Sequence, residues 1–130
     1  MQEHIELLEK YNFQKQLTKL NKKLKDKRII MYGAGSFLKT IKEHYDLSNL
    51  NIIGISDNKY QKDDEGKIDF DYKIIPSFKI KEYCPDYIII SALKYMDIML
   101  NFKTNKLKGT KIKVLPLCDK PFLSLLKEIL

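Results

Sequence analysis

Several residue types are scarce in this chain, and each scarcity removes a class of protein. Tryptophan is absent, and the two cysteines, Cys84 and Cys118, lie far apart, with no CxxC pair and no histidine at a metal-binding spacing. A zinc site or a disulfide framework is therefore not expected, and both thiols suit a reducing compartment. We assign no metal ligand.

Long apolar runs are also missing. No segment approaches the roughly 18 consecutive apolar residues that a membrane span needs. The N-terminal sequence MQEHIELLEK carries glutamates where a signal peptide has an apolar centre. We therefore expect a cytoplasmic protein without a membrane partner.

Arginine is nearly absent, although the chain is basic. The formal net charge is +7, but Arg28 is the sole arginine among the 24 lysines and arginines. Arginine dominates the specific recognition of bases and phosphates. The excess of lysine, asparagine and isoleucine over alanine is instead what an AT-rich genome writes onto ordinary surfaces. We therefore do not expect a nucleic-acid partner.

The chain of 130 residues has the length of one domain, and we treat 1–130 as a single domain. Residues 1–27 have apolar positions at helical spacing and form an N-terminal helical segment. The phase of this pattern changes near Asn12, so either Asn12 caps a second helix or one long helix turns its apolar face. The second stripe consists of Phe13, Leu17, Leu20 and Leu24.

Beyond residue 27, strand-like and helix-like segments alternate. Strands are predicted at 28–32, 51–56, 85–91 and 111–117, with a short edge strand at 73–75. Helices are predicted at 36–46, at 76–84 with Ser77 as its cap, and at 94–107 with Met96, Met99, Leu100 and Leu107 inward. The polar stretch 57–73 reads as an exposed loop, and 117–130 ends in an apolar helix. This alternation predicts an α/β fold, with a mostly parallel sheet and helices on both faces.

The first predicted strand ends in a glycine turn. Gly33, Ala34 and Gly35 are followed by Ser36 and Phe37 at the start of a helix. In a doubly wound sheet this turn presents backbone N–H groups and a helix N-terminus to a ligand. Gly33 would let the chain turn sharply, and Gly35 would let a pyrophosphate approach the backbone. The Ser36 hydroxyl would bind phosphate or cap the helix.

A carboxylate follows the second predicted strand. Asp57 lies 22 residues beyond Gly35, where it can accept hydrogen bonds from both ribose hydroxyls of an adenosine, and its charge favours NAD over NADP. The alternative interpretation is a plain turn, opened by Asp57 and Asn58. Leu38 favours that alternative, because the third position of the fingerprint is normally glycine or alanine.

The segments IIMYGAGSFLKTI, NIIGISDNK, KIIPSFKI and PDYIIISALKYMDIM resemble the small Rossmann-like domain of bacterial surface-polysaccharide proteins. That domain occurs in nucleotide-sugar dehydratases and epimerases, in sugar acetyltransferases and with sugar methyltransferases. The resemblance covers residues 28–116 and implies a Rossmann-like core that binds NAD or a nucleotide sugar in a capsule or lipopolysaccharide pathway. Matching positions are Gly33, Ala34, Gly35, Gly54, Asp57, Pro76, Ser77, Asp86 and Tyr87, and Leu38 departs from the pattern.

The residues predicted to line the nucleotide cleft come from three turns. They are Gly33, Ala34, Gly35, Ser36 and Phe37 from the first, Asp57 and Asn58 from the second, and Ser91 and Ala92 from the third. We assign no catalytic residue, because no acid, base or nucleophile has a partner at a suggestive spacing. A reaction would therefore need another domain or subunit.

The chain could instead be a non-catalytic interaction module with a degenerate nucleotide cleft. The stripe from Phe13 to Leu24, together with the C-terminal leucines, offers more apolar surface than one small sheet covers, so we predict a homodimer.

Overall fold

The computed structural model describes residues 2–120. Its strands are β1 (Ile29–Tyr32), β2 (Ile52–Ser56), β3 (Ile68–Asp69), β4 (Tyr72–Lys73), β5 (Tyr87–Ile90) and β6 (Lys113–Pro116). Four of them form one parallel sheet in the order β2-β1-β5-β6. The predicted α/β class with a parallel sheet is confirmed.

The N-terminal segment forms two separate helices. The α-helices are α1 (Gln2–Lys10), α2 (Phe13–Lys23), α3 (Ser36–His44) and α4 (Met96–Asn101). Asn12 breaks the first two apart with φ of 51°, and its side chain makes no capping hydrogen bond. Of the two alternatives, the broken helix is the correct one. Between residues 2 and 120, no helix has the length and apolar content that crossing a membrane requires.

Alternating residues of the central strands bury apolar side chains on both faces of the sheet. Ile29 and Met31 face a cluster that also contains Leu8, Leu17 and Leu38. Ile30 and Tyr32 face a second cluster that contains Phe102 and Leu107. Helices α1, α2 and α3 therefore cover one face, and α4 with its continuation covers the other. The helices on both faces hold the sheet in place, and the candidate site lies at the ends of its strands.

The stretch 57–73 contains more secondary structure than the exposed loop that the sequence predicted. It contains a 3₁₀ turn, Lys62–Asp64, and the antiparallel hairpin of β3 and β4. The edge strand predicted at 73–75 shrinks to an isolated parallel bridge between Ile74 and Ile55, beside β2. Residues 77–83 form a 3₁₀ helix, in which Ser77 is the first residue and the cap position belongs to Pro76.

The helix predicted at 94–107 begins only at Met96 and continues beyond α4 as a π-helical turn, Phe102–Lys106. Leu107 is buried as expected, but Leu100 is 52% exposed. The buried stripe runs through Tyr95 and Phe102, and Leu100 lies off it. Within the predicted C-terminal segment 117–130, Leu117 and Cys118 are buried, and the predicted helix at 121–130 lies outside the described residues.

Candidate functional site

Three turns meet at the carboxyl ends of β1, β2 and β5. Together they border one cleft of about 380 Å³, a volume within the range of small-molecule sites. All nine residues predicted from the sequence line this cleft, together with Tyr32, Leu93 and Ile98. Parallel strands bring their carboxyl ends to one edge of the sheet, so positions far apart in sequence converge here.

Gly33 is required by the fold of the turn. Its φ is +115°, and a Cβ atom at this position would lie 2.8 Å from the backbone oxygen of Ser91. Two hydrogen bonds hold Gly33 in this position. The Ser91 hydroxyl donates to the Gly33 oxygen at 2.6 Å, and the Gly33 N–H donates to the Ser56 oxygen, at the end of β2, at 2.9 Å. Gly33 and Ser91 therefore hold the first and third turns together.

Gly35 differs, because the chain itself places no demand for glycine there. Its φ is −118°, which any residue adopts, and an added Cβ would meet no atom within 4 Å. The N–H groups of Gly35, Ser36 and Phe37 open α3 and have no acceptor among residues 2–120. The space above Gly35 is thus open and bordered by hydrogen-bond donors.

Asp57 organises the glycine turn from the neighbouring strand. Its Oδ2 accepts from the Ala34 N–H at 2.7 Å, and its Oδ1 accepts from the Lys59 N–H at 3.0 Å. The second bond is the Asx turn that one interpretation anticipated. The Lys59 ammonium in turn donates to the Ala34 oxygen at 2.5 Å. A cation therefore lies directly beside the turn.

Tyr32 and Asn58 join the turn at the end of β2 to the end of β1. The Tyr32 hydroxyl donates to Asn58 Oδ1 at 2.8 Å. Burial, assisted by the charge of Asp57, raises the pKa of Tyr32. The phenol therefore stays protonated and acts as a hydrogen-bond donor rather than as a base.

Leu38, the departure from the glycine fingerprint, is accommodated inside the chain. Its side chain is fully buried in the cluster on the α1, α2 and α3 face. The leucine therefore packs in the core and does not enter the cleft, whose lining begins at Tyr32 and includes Phe37.

Two neighbours of the cleft were not anticipated from the sequence. His4 places Nε2 3.2 Å from the Ser36 Oγ, and its ring meets the Phe37 ring edge to face at 5.3 Å. No local signal marks His4, because it lies 32 positions before Ser36. Lys59 follows Asp57 by two positions, and only the fold shows that its ammonium turns back to the glycine turn.

A further cleft of about 480 Å³ lies between α2 and β6 and is bordered by Tyr11, Leu20 and Leu115. It reaches Lys120, the last described residue, and has no glycine turn. Across residues 2–120, no cluster of three or more histidine, cysteine or acidic side chains could hold a metal ion. The strand-end cleft is therefore the candidate site.

Comparison with known proteins identifies the family of the chain. Neither the curated proteins nor the solved structures gave a match. The model of the family described as C2185-like, N-terminal, matches residues 25–119, which include all the residues that line the cleft. The chain belongs to the C2185-like N-terminal domain family.

Proposed function

We propose that this is a Rossmann-like domain that binds a nucleotide with a diphosphate group, either NAD or a nucleotide sugar. The observation that carries the proposal is the open space above Gly35, bordered by the unpaired N–H groups that begin α3. A diphosphate there would accept those hydrogen bonds and lie at the positive end of the helix dipole.

The remaining groups suit the other parts of such a ligand. Lys59 supplies a positive charge beside the turn. Asp57 is partly exposed, and each of its oxygens accepts one backbone hydrogen bond, which leaves further lone pairs for ribose hydroxyls. Its negative charge would repel a 2′-phosphate, so NAD is the better candidate than NADP.

The proposed role is binding without complete chemistry. Tyr32 is held protonated, and neither Asp57 nor Lys59 faces a partner that would make it a catalytic acid or base. In a surface-glycan pathway, which the resemblance implies, the domain would work with a catalytic domain or subunit. The purified chain should therefore not turn over a nicotinamide cofactor with a nucleotide sugar.

A thermal-shift screen tests the proposal with NAD, NADP, UDP-sugars, coenzyme A and S-adenosylmethionine. A ligand at about 100 times its dissociation constant stabilises a protein by roughly 2.7 kcal/mol. The matched control is Gly35→Val, which places side-chain atoms in the open space and whose Cβ would meet no atom within 4 Å. Stabilisation of the native chain but not of the variant is expected. A flat response of the native chain to every nucleotide would contradict the proposal.

One observation favours a second candidate, a non-catalytic interaction module with a degenerate cleft. Asp57 already occupies the Ala34 N–H, and Lys59 already occupies the Ala34 oxygen, so part of the turn is satisfied by the chain itself. In that case the flat thermal response would be accompanied by capture of a protein partner.

A further inference from the structure

Helix α1 brings a histidine into contact with the start of α3, next to the glycine turn. It packs against α3 and places His4 between the Phe37 ring, at 5.3 Å between centroids, and the Ser36 hydroxyl, at 3.2 Å from Nε2. The ring is therefore held both by an aromatic contact and by a hydrogen bond. His4 itself does not line the cleft, whereas both residues that it contacts, Ser36 and Phe37, do, so an effect of its contacts on a ligand passes through one of these two residues.

The surroundings of the imidazole indicate which nitrogen carries the proton. Nδ1 of His4 is buried without a hydrogen-bond partner among the described residues. A buried N–H that lacks an acceptor is rarer in proteins than a buried acceptor that lacks a donor. A neutral ring therefore carries its proton on Nε2 and donates it to the Ser36 oxygen.

This proton position leaves the Ser36 hydroxyl proton available. A serine hydroxyl has one hydrogen to donate and two lone pairs to accept with, and His4 uses one lone pair. The Ser36 backbone oxygen is engaged separately, by the Thr40 hydroxyl at 3.0 Å. The Ser36 O–H can therefore point into the cleft, beside the unpaired N–H groups at the start of α3.

We infer that His4 is a positioning residue, which orients the Ser36 hydroxyl to donate to a phosphate oxygen of the nucleotide. The inference rests on the proposed function and adds a group from α1 to the site. It also argues against Ser36 as a nucleophile. To accept the Ser36 proton, the neutral ring would need its own proton on Nδ1, where no acceptor is found among residues 2–120.

A double-mutant cycle tests the coupling between the two side chains. The variants are His4→Phe, which keeps an aromatic ring against Phe37, Ser36→Ala, and the two combined. Affinity is measured calorimetrically with ADP and UDP, and with adenosine and uridine as phosphate-free controls. His4→Gln serves as the conservative variant, because its amide can donate to Ser36 in place of Nε2.

His4→Phe and Ser36→Ala should each weaken diphosphate binding by about tenfold, as expected for a lost hydrogen bond to a charged group. The double variant should be no weaker than Ser36→Ala, and His4→Gln should keep most of the affinity. Adenosine and uridine should bind all variants equally. A preference for ADP would point to NAD, and a preference for UDP to a nucleotide sugar.

Other results would overturn the inference. If the two single effects multiply in the double variant, or if His4→Phe keeps full affinity, His4 does not act through Ser36, although the nucleotide site stands. If the native chain binds neither ADP nor UDP, the proposed function fails and the inference fails with it. Melting temperatures identify a variant that does not fold, and His4→Leu then replaces His4→Phe.

Discussion

Gly33 and Gly35 stand two residues apart in the same turn, yet the structure asks different things of them. At Gly33, an alanine would have to adopt a φ of +115° and place its Cβ against Ser91. We predict that Gly33→Ala lowers the free energy of unfolding by about 3 kcal/mol, through backbone strain and overlap together. Urea denaturation measures this change.

The matched control is Gly35→Ala, because its φ of −118° and open surroundings accept a Cβ. We predict unchanged or slightly increased stability, since alanine reduces the freedom of the unfolded chain. Diphosphate binding should nevertheless weaken by about tenfold, because the methyl group enters the space proposed for the phosphates. A loss of stability at Gly35 as large as that at Gly33 would contradict this division of roles.

The sequence left two roles open for Asp57, a turn residue and a ribose anchor, and its substitutions separate them. Asp57→Ala removes the acceptors of the Ala34 and Lys59 N–H groups, so we predict a loss of about 2 kcal/mol in unfolding free energy. NAD affinity should fall by about tenfold as well. Asp57→Asn retains one turn acceptor and should lose about half as much stability.

Measured together, melting temperature and NAD affinity of these variants decide the role of Asp57. Lowered stability with unchanged NAD affinity would leave only the turn. If the carboxylate reads the ribose, the native chain should also bind NAD better than NADP, and Asp57→Asn should narrow that preference.

The two cysteines differ in accessibility, and this difference reports on the fold. Cys84 is exposed, whereas Cys118 is buried, and burial raises the pKa of the Cys118 thiol to about 11. Because the thiolate is the reactive form, we predict that iodoacetamide at pH 8 modifies Cys84 alone in the native chain. Mass spectrometry should show one adduct, and two after denaturation in urea. Rapid double modification of the native chain would contradict the burial of Cys118.

Among the elements, the hairpin of β3 and β4 is contacted by one lysine of α3. The Lys42 ammonium donates to the Phe70 oxygen at 2.7 Å, pairs with Asp71 at 3.2 Å and lies 4.2 Å from the centre of the Tyr72 ring. The Asp71 side chain is 88% exposed, so the ion pair adds little. The hydrogen bond to Phe70 and the cation–π contact therefore contribute most of the stabilisation that Lys42 gives the hairpin.

We predict that Lys42→Met, which keeps the aliphatic stem, lowers the unfolding free energy by about 1–2 kcal/mol. Amide exchange should accelerate in the hairpin more than in the central sheet. Lys39→Met, an exposed position of the same helix, is the control and should change stability by less than about 0.5 kcal/mol. Equal effects of the two substitutions would show that Lys42 does not anchor the hairpin.

The hairpin also shows where sequence patterns stop being informative. Phe70 and Asp71 adopt φ of 52° and 68° at its tip, the geometry that Asn-Gly or Asp-Gly normally marks. A phenylalanine at such a position gives no turn signal, because its conformation is stabilised by contacts with distant residues. Phe70 packs against the main core cluster. The interpretation of 57–73 as an exposed loop was therefore wrong at this point.

For the molecule as a whole, fewer apolar residues are available for association with a second chain than the sequence indicated. The stripe that suggested a dimer is used within the chain, since Phe13, Leu17 and Leu24 are each 1% exposed. Leu20 is partly buried and borders the cleft between α2 and β6. The homodimer stays a prediction, which now depends on that cleft and on the C-terminal leucines beyond residue 120. Light scattering at high micromolar concentration should give twice the monomer mass, and a monomer mass would contradict it.

Whether a feature could be predicted from the sequence depends on how far apart along the chain its interacting residues lie. The central strands and the glycine turn depend on local apolar runs and local backbone freedom, and the cleft follows because parallel strands align their ends. His4 could not be predicted, because its partner Ser36 is distant in sequence and is brought near only by the packing of α1 on α3. Leu100 was misplaced, because the π-helical turn after α4 alters which face is buried.

The strand order has a consequence for synthesis of the chain on the ribosome. β1 lies between β2 and β5, and its Ile29 pairs with Tyr87. At about 5–20 residues per second, β1 waits several seconds for that partner. During this interval one edge of an apolar strand is unpaired and can recruit other nascent chains. The helices α1 and α2 precede β1 in synthesis, so their early folding would cover one apolar face of β1, while the edge itself stays unpaired until β5 emerges.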